Sequence, residues 1–189
     1  VGDANRAKEC YENAQAIALE QGDKASLVRG HRRMAWLQMD AGQWKQAEES
    51  VRQGLRIARE LGDLPGEASM VGTLGTVAAS ANQFELALDQ FQEAERMYVQ
   101  HGSAEQRQSC RVNICLALEK LDRIDEAFAI VDELRAEGEM VPFTQHFVTV
   151  LEMKLRIRKE EWHTALDIGD GVLDELEKLQ AWDRTISVH

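Results

Sequence analysis

Proline is nearly missing from this chain: only Pro65 and Pro142 interrupt its 189 residues. Both fit the first turn of a helix, where the lost N–H would be unpaired anyway. Long apolar runs are missing too. None approaches the roughly 20 residues needed to cross a bilayer, so no membrane span is expected. The three cysteines, Cys10, Cys110 and Cys115, are an odd count without framework spacing. That usage points to reduced thiols and a cytoplasmic setting rather than to disulfides. A basic surplus is also lacking, with 22 Lys and Arg against 33 Asp and Glu and a net charge of −11. Neutralising phosphates requires the opposite balance, which argues against nucleic acid or an anionic membrane as the main partner of this segment.

Catalytic groupings are equally scarce. General acid–base work needs titratable groups that converge, and nucleophilic catalysis needs a base within reach of the nucleophile. His31, His101, His146, His163 and His189 fall on different helices, linkers or the tail. Cys110 and Cys115 lie about 140° apart on a helical wheel and cannot share a metal on one helix. Glu160, Glu161 and His163 cluster at a turn, a pattern that reads first as a solvated helix start and only second as a metal site. No glycine-rich loop of the phosphate-cradling kind is present, because each glycine marks a turn or a tight helix contact. The expectation is a non-enzyme without cofactor or metal.

What the chain has in abundance is repetition. Ala7, Ala47, Ala87 and Ala127 are spaced 40 residues apart; Gly2 returns as Gly42, Trp44 as Phe84, and Gln21-Gly22-Asp23 as Leu61-Gly62-Asp63 and His101-Gly102-Ser103. A fixed period in this range marks a solenoid, whose core lies between neighbouring repeats. Within each unit the apolar or small residues recur every three or four positions: Trp44, Ala47, Val51, Leu55 and Ala58, then Phe84, Ala87, Phe91 and Ala94, then Ile124, Ala127, Val131 and Leu134. Such spacing makes one helical stripe. The preceding helices repeat it at His31, Met34, Ala35 and Gln38, at Val71, Leu74, Gly75 and Ala78, and at Ile114, Cys115 and Leu118. Ala35, Gly75 and Cys115 are small enough for close helix approach.

Asp23, Asp63 and Ser103 stand where N-caps are needed, and Ser103 with Gln106 has capping-box spacing. Gly22, Gly62 and Gly102 suit left-handed helix ends. These signals predict nine helices, at 3–21, 24–41, 44–61, 65–81, 84–101, 104–121, 124–137, 142–159 and 162–180, and no strand. They group as a half repeat over 1–21, repeats over 24–61, 65–101, 104–137 and 142–180, and a tail over 181–189. Because Gly2 already matches the mid-repeat Gly42, the chain is expected to be a fragment of a longer protein.

Leu74, Gly75, Phe84, Ala87, Phe91 and Ala94, placed on paired antiparallel helices, resemble the tetratricopeptide repeat (TPR). The resemblance implies an all-α, right-handed superhelical solenoid of about 4.5 repeats. The usual unit is 34 residues, and the 40-residue step with its linker Ile57-Ala58-Arg59-Glu60-Leu61-Gly62-Asp63 is similar to the longer variant of bacterial MalT-type activators, peptide-pheromone receptors and Pins-type adaptors. The first helix of each pair carries a second stripe, formed in the first complete pair by Arg29, Arg32, Trp36 and Met39. In the family this face lines a concave groove for peptide ligands. The resemblance places Ser69, Gly72 and Thr76, Ser109, Val112 and Leu116, and then His146, Thr149 and Met153 in the same groove. Arginines beside a tryptophan suit an acidic or aromatic peptide. The alternative is structural, with these arginines paired to Glu9, Glu12 or Glu20. Gly72 and Val112 stand where the co-chaperone clamp needs polar residues, which disfavours chaperone tails.

The expected function is a protein- or peptide-binding scaffold inside a larger regulator. A small-molecule or peptide-signal sensor around Gly72, Thr76 and Ala79 is the alternative, and an oligomerisation array a third reading. The last comes from the helix over 142–159, where Phe147, Val148, Val150, Leu151, Met153, Leu155 and Ile157 spread over several faces. Its cover is expected from the last helix and the tail through Trp182, or else this helix is a self-association surface for a homodimer or a docking site for absent sequence. Trp162 and Ala165 follow Ile124 and Ala127 by 38 residues, so the last pair slips by two.

Overall fold

A computed structural model of the chain describes residues 2–138 and 140–173. Eight helices are complete within it: α1 (Gly2–Glu20), α2 (Lys24–Asp40), α3 (Trp44–Leu61), α4 (Leu64–Ser80), α5 (Phe84–His101), α6 (Ala104–Lys120), α7 (Ile124–Ala136) and α8 (Pro142–Arg158). A ninth, α9, runs over 162–173. Among the described residues there is no strand, and no helix is long and apolar enough to cross a membrane. Residues 174–189, with the expected end of the ninth helix at 180, the tail and Trp182, and the side chain of Ala7 lie outside the described residues.

Helix starts follow their capping chemistry. Asp23 accepts from the Ser26 N–H and Asp63 from the Gly66 N–H, while Ser103 and Gln106 form a complete capping box. Gly22 and Gly62 take left-handed φ angles of 67° and 66°, but Gly102 departs from expectation with φ −105° and ψ 171°. Its requirement for glycine is steric: a Cβ there would lie 2.5 Å from the Tyr98 ring and 2.8 Å from its backbone Cα.

The core is built from the predicted stripes. Ala47, Ala87 and Ala127 are completely buried, as are Ala35 and Cys115. A Cβ added to Gly75 would lie 2.7 Å from the Phe91 ring, so the missing side chain is what lets α4 and α5 approach. The helices pack α1 on α2, α2 on α3 and so on in sequence, and α2, α4, α6 and α8 also touch one another in turn, whereas α1, α3, α5 and α7 do not. The array therefore curves with the even-numbered helices on its inner side. Buried Arg111 ties three helices, pairing with Glu95 of α5 at 3.4 Å, with Glu133 of α7, and with Glu137 just beyond it at 2.5 Å.

The two-residue slip has a local origin. Left-handed residues at the turn inside each helix pair are Gly42, Asn82, Asp122 and Glu160, spaced by 40, 40 and 38. Helix α5 has 18 residues and a two-residue linker, whereas α7 has 13 and is followed by five linker residues, 137–141. One turn lost from the helix is thus only partly restored in the linker.

Candidate ligand groove

The inner face presents a cleft of about 530 Å³ between α2, α4 and α6. Arg32 and Trp36 form one wall, Ser69, Gly72, Thr73 and Thr76 the floor, and Ser109 and Asn113 the far side. Of the stripe residues, Arg32, Trp36, Ser69, Gly72, Thr76 and Ser109 line this cleft together, as residues three and four apart on a helix share a face. Gly72 contributes room, since a Cβ there would have only the Ala94 methyl, at 3.6 Å, within van der Waals range. Trp36 is 45% exposed, far more than an aromatic ring committed to the core.

The cations of this face are held by hydroxyls. Arg32 donates to the Ser69 Oγ at 2.8 Å and Arg29 to the Ser26 Oγ at 2.8 Å. Asp23 accepts from the same Ser26 hydroxyl, and its carboxyl is held below the ordinary value by the Ser26 hydrogen bonds and then by Arg29. Arg29 is exposed and reaches the rim, where a smaller depression joins it to Arg32, Pro65 and Gln106. One carboxylate, Glu105, lines the main cleft. A guanidinium held only by a neutral hydroxyl keeps donors for an incoming anion.

Two predicted groove residues belong to the core instead. Met39 is 5% exposed and Val112 is 7% exposed. Positions 32, 72 and 112 lie on the flank of each even-numbered helix that meets the next one. Arginine is long enough to reach out of that seam, and valine is not. Met39 sits on the same flank as Arg32 by helical angle, with its sulfur against the Ser80 hydroxyl of α4 at 3.8 Å. Leu116 is half-buried against the core. In the last repeat the two-residue slip changes the assignment: Phe147, Val150 and Lys154 occupy the places of Ser109, Val112 and Leu116. Thr149 instead bonds the Gln145 carbonyl, and Met153 turns toward α9.

Tyr98 is the functional-looking residue that the stripes missed. It enters the cleft from α5, shares a hydrogen bond with Ser69, and has its phenol pushed above the ordinary value mainly by burial. It is therefore a neutral hydroxyl at physiological pH, available as donor and acceptor. The signal was present in the repeat, because Tyr98 falls 40 residues after Ala58, where a small buried residue is replaced by a large polar-tipped one. Cys110 also lies at the floor, but its thiol bonds the Phe91 carbonyl at 3.1 Å and burial pushes its pKa up to about 12. Such a thiol is not a nucleophile at neutral pH. Among the described residues, no three His, Cys, Asp or Glu side chains are placed to hold a metal ion.

Comparison with known proteins shows what this fold is similar to. Residues 33–99 match the family model of the tetratricopeptide repeat, and the fold throughout is a TPR-like solenoid. The TPR-like repeats of a kinesin-light-chain-type protein from Podosopora anserina superpose with a TM-score of 0.74 at 15% identity, covering 95% of this chain and 90% of that one. BtubC from P. vanneervenii gives 0.74 at 20% identity, with 97% and 75% coverage. A TPR-like protein from Chlorobium tepidum gives 0.58 at 17%, with 72% and 97% coverage. No curated protein matches the sequence. Repeats of this class generally mediate protein–protein interactions and are typically non-enzymatic.

Proposed function

We propose that the chain is a peptide- or helix-binding scaffold whose inner groove takes an acidic segment of a partner protein. The observation that carries this reading is Arg32, held by the Ser69 hydroxyl and set beside exposed Trp36, with Arg29 at the rim. In a chain of net charge −11, two arginines bonded to hydroxyls on one concave face form a local attraction for an anion. Arg32 would bind a carboxylate in bidentate fashion, Trp36 would provide a flat apolar contact, and Gly72 would admit a side chain between them. Ser69, Thr76, Tyr98, Ser109 and Asn113 would bond the peptide backbone. The resemblance of the 40-residue step to MalT-type and Pins-type arrays extends the proposal to a cytoplasmic segment of a larger bacterial regulator. In such a protein, groove occupancy would alter the curvature of the array and so the activity of an attached domain.

The test is affinity capture with the full-length protein, comparing the natural sequence with the double variant Arg32→Glu, Trp36→Ala. Partners held through the groove are lost from the double variant. Retention of every partner contradicts the proposal. A second reading, a sensor of a small molecule or short signal peptide, is favoured by the convergence of hydroxyls and an amide around Gly72. It predicts a rise in melting temperature with one member of a small-ligand panel, which a peptide scaffold would not show.

A further inference from the structure

The inner cleft carries charge of both signs. Arg32 stands on its α2 wall, and Glu105, in the first turn of α6, lines the far side. A helix start favours an anion at that place. Glu67 is paired with Arg59 at 2.7 Å and Glu137 with Arg107 at 3.0 Å, whereas Glu105 is exposed and, among the described residues, has no cation against it. Its neighbour Gln106 also lines the small depression that Arg29 and Arg32 share. The two walls are therefore within reach of one short segment.

Between these two groups the lining of the cleft is uncharged, with Ser69, Thr73, Thr76, Ser109 and Asn113 offering hydroxyls and an amide. A wholly acidic ligand would be drawn to Arg32 and repelled by Glu105, in a chain whose net charge is already −11. A segment with both charges meets a complementary group on each wall, which fixes its register as well as its affinity.

We propose that the segment taken by the inner groove is of mixed charge, with an acidic residue on Arg32 and a nearby lysine or arginine on Glu105. This rests on the reading of the groove as a peptide site and adds the second charge to it. Helices α2 and α6 stand two helix spacings apart, about 16–20 Å by axis. Both side chains reach inward from their walls, so an extended strand rising ~3.3 Å per residue bridges the two charges in about two to four residues.

The test selects binders of the 189-residue chain from a phage-displayed library of random dodecapeptides. Sequences enriched on the parent are expected to pair Asp or Glu with Lys or Arg two to four residues away. Selection on Glu105→Gln should lose the basic residue and keep the acidic one, and selection on Arg32→Gln should lose the acidic one. The best parent-selected sequence, made as a fluorescent peptide, should bind Glu105→Gln at least fivefold more weakly at physiological ionic strength. Glu105 is exposed in a first turn, so circular dichroism of Glu105→Gln should match the parent. Enrichment of acidic residues alone, or a basic residue and an affinity indifferent to Glu105→Gln, overturns the proposal and leaves the acidic-segment reading standing. No acidic enrichment, or one indifferent to Arg32→Gln, overturns that reading and the proposal with it.

Discussion

Single residues decide how closely the helices meet and where a cleft remains. Gly75 and Gly72 stand three positions apart on α4 and have opposite roles. At Gly75 a methyl group would press on the buried Phe91 ring, whereas at Gly72 it meets only an ordinary contact with Ala94. Overpacking typically costs about 1–3 kcal/mol, offset by about 1 kcal/mol of improved helix propensity. Gly75→Ala is therefore expected to lower the melting temperature by up to about 8 °C, and Gly72→Ala to leave it unchanged or higher while narrowing the groove. Thermal melts followed by circular dichroism distinguish the two. Thiol chemistry divides the same way. Cys110 and Cys115 are buried with thiols pushed up to about 12, whereas Cys10 is exposed. Titration of the native protein with Ellman's reagent should release one equivalent rapidly and the other two only on unfolding.

At the scale of elements, the sequence was most legible where the physics is local. Stripes and caps place the helix ends within a residue or two because N-cap side chains and alanine contacts depend on neighbours in sequence. The groove was less legible, since burial at Met39 and Val112 depends on which adjacent helix covers a flank. Tyr98 escaped notice because it belongs to the neighbouring helix and reaches the cleft from outside the stripe. One element has a pH response. His31 is half-buried between α2 and α3, close to Gly54, and its pKa is lowered by desolvation and then by Arg56. Its neutral form is therefore the one the fold favours. Below the unfolded value near 6.5 the unfolded chain binds the proton more readily, so stability falls as pH drops through that value. Melting temperatures at pH 7.5 and pH 5.5 should show a smaller acid loss in His31→Gln than in the parent.

For the whole molecule, the succession of α2, α4, α6 and α8 along one side makes a continuous inner face, and the repeat leaves only a few of its positions free of packing duty. Each repeat contacts its neighbours alone, so a ligand spanning α2, α4 and α6 would couple two repeat interfaces and shift the curvature of the array. We propose that partners bind this inner face rather than the outer helices. The most direct test is site-specific photo-crosslinking of the full-length protein in its cell of origin. A benzophenone amino acid is placed at exposed Ser109 on the groove or at exposed Glu49 on the outer helix α3. The account predicts a protein adduct from position 109 that Arg32→Glu abolishes, and none from position 49. Adducts from position 49 alone would contradict it.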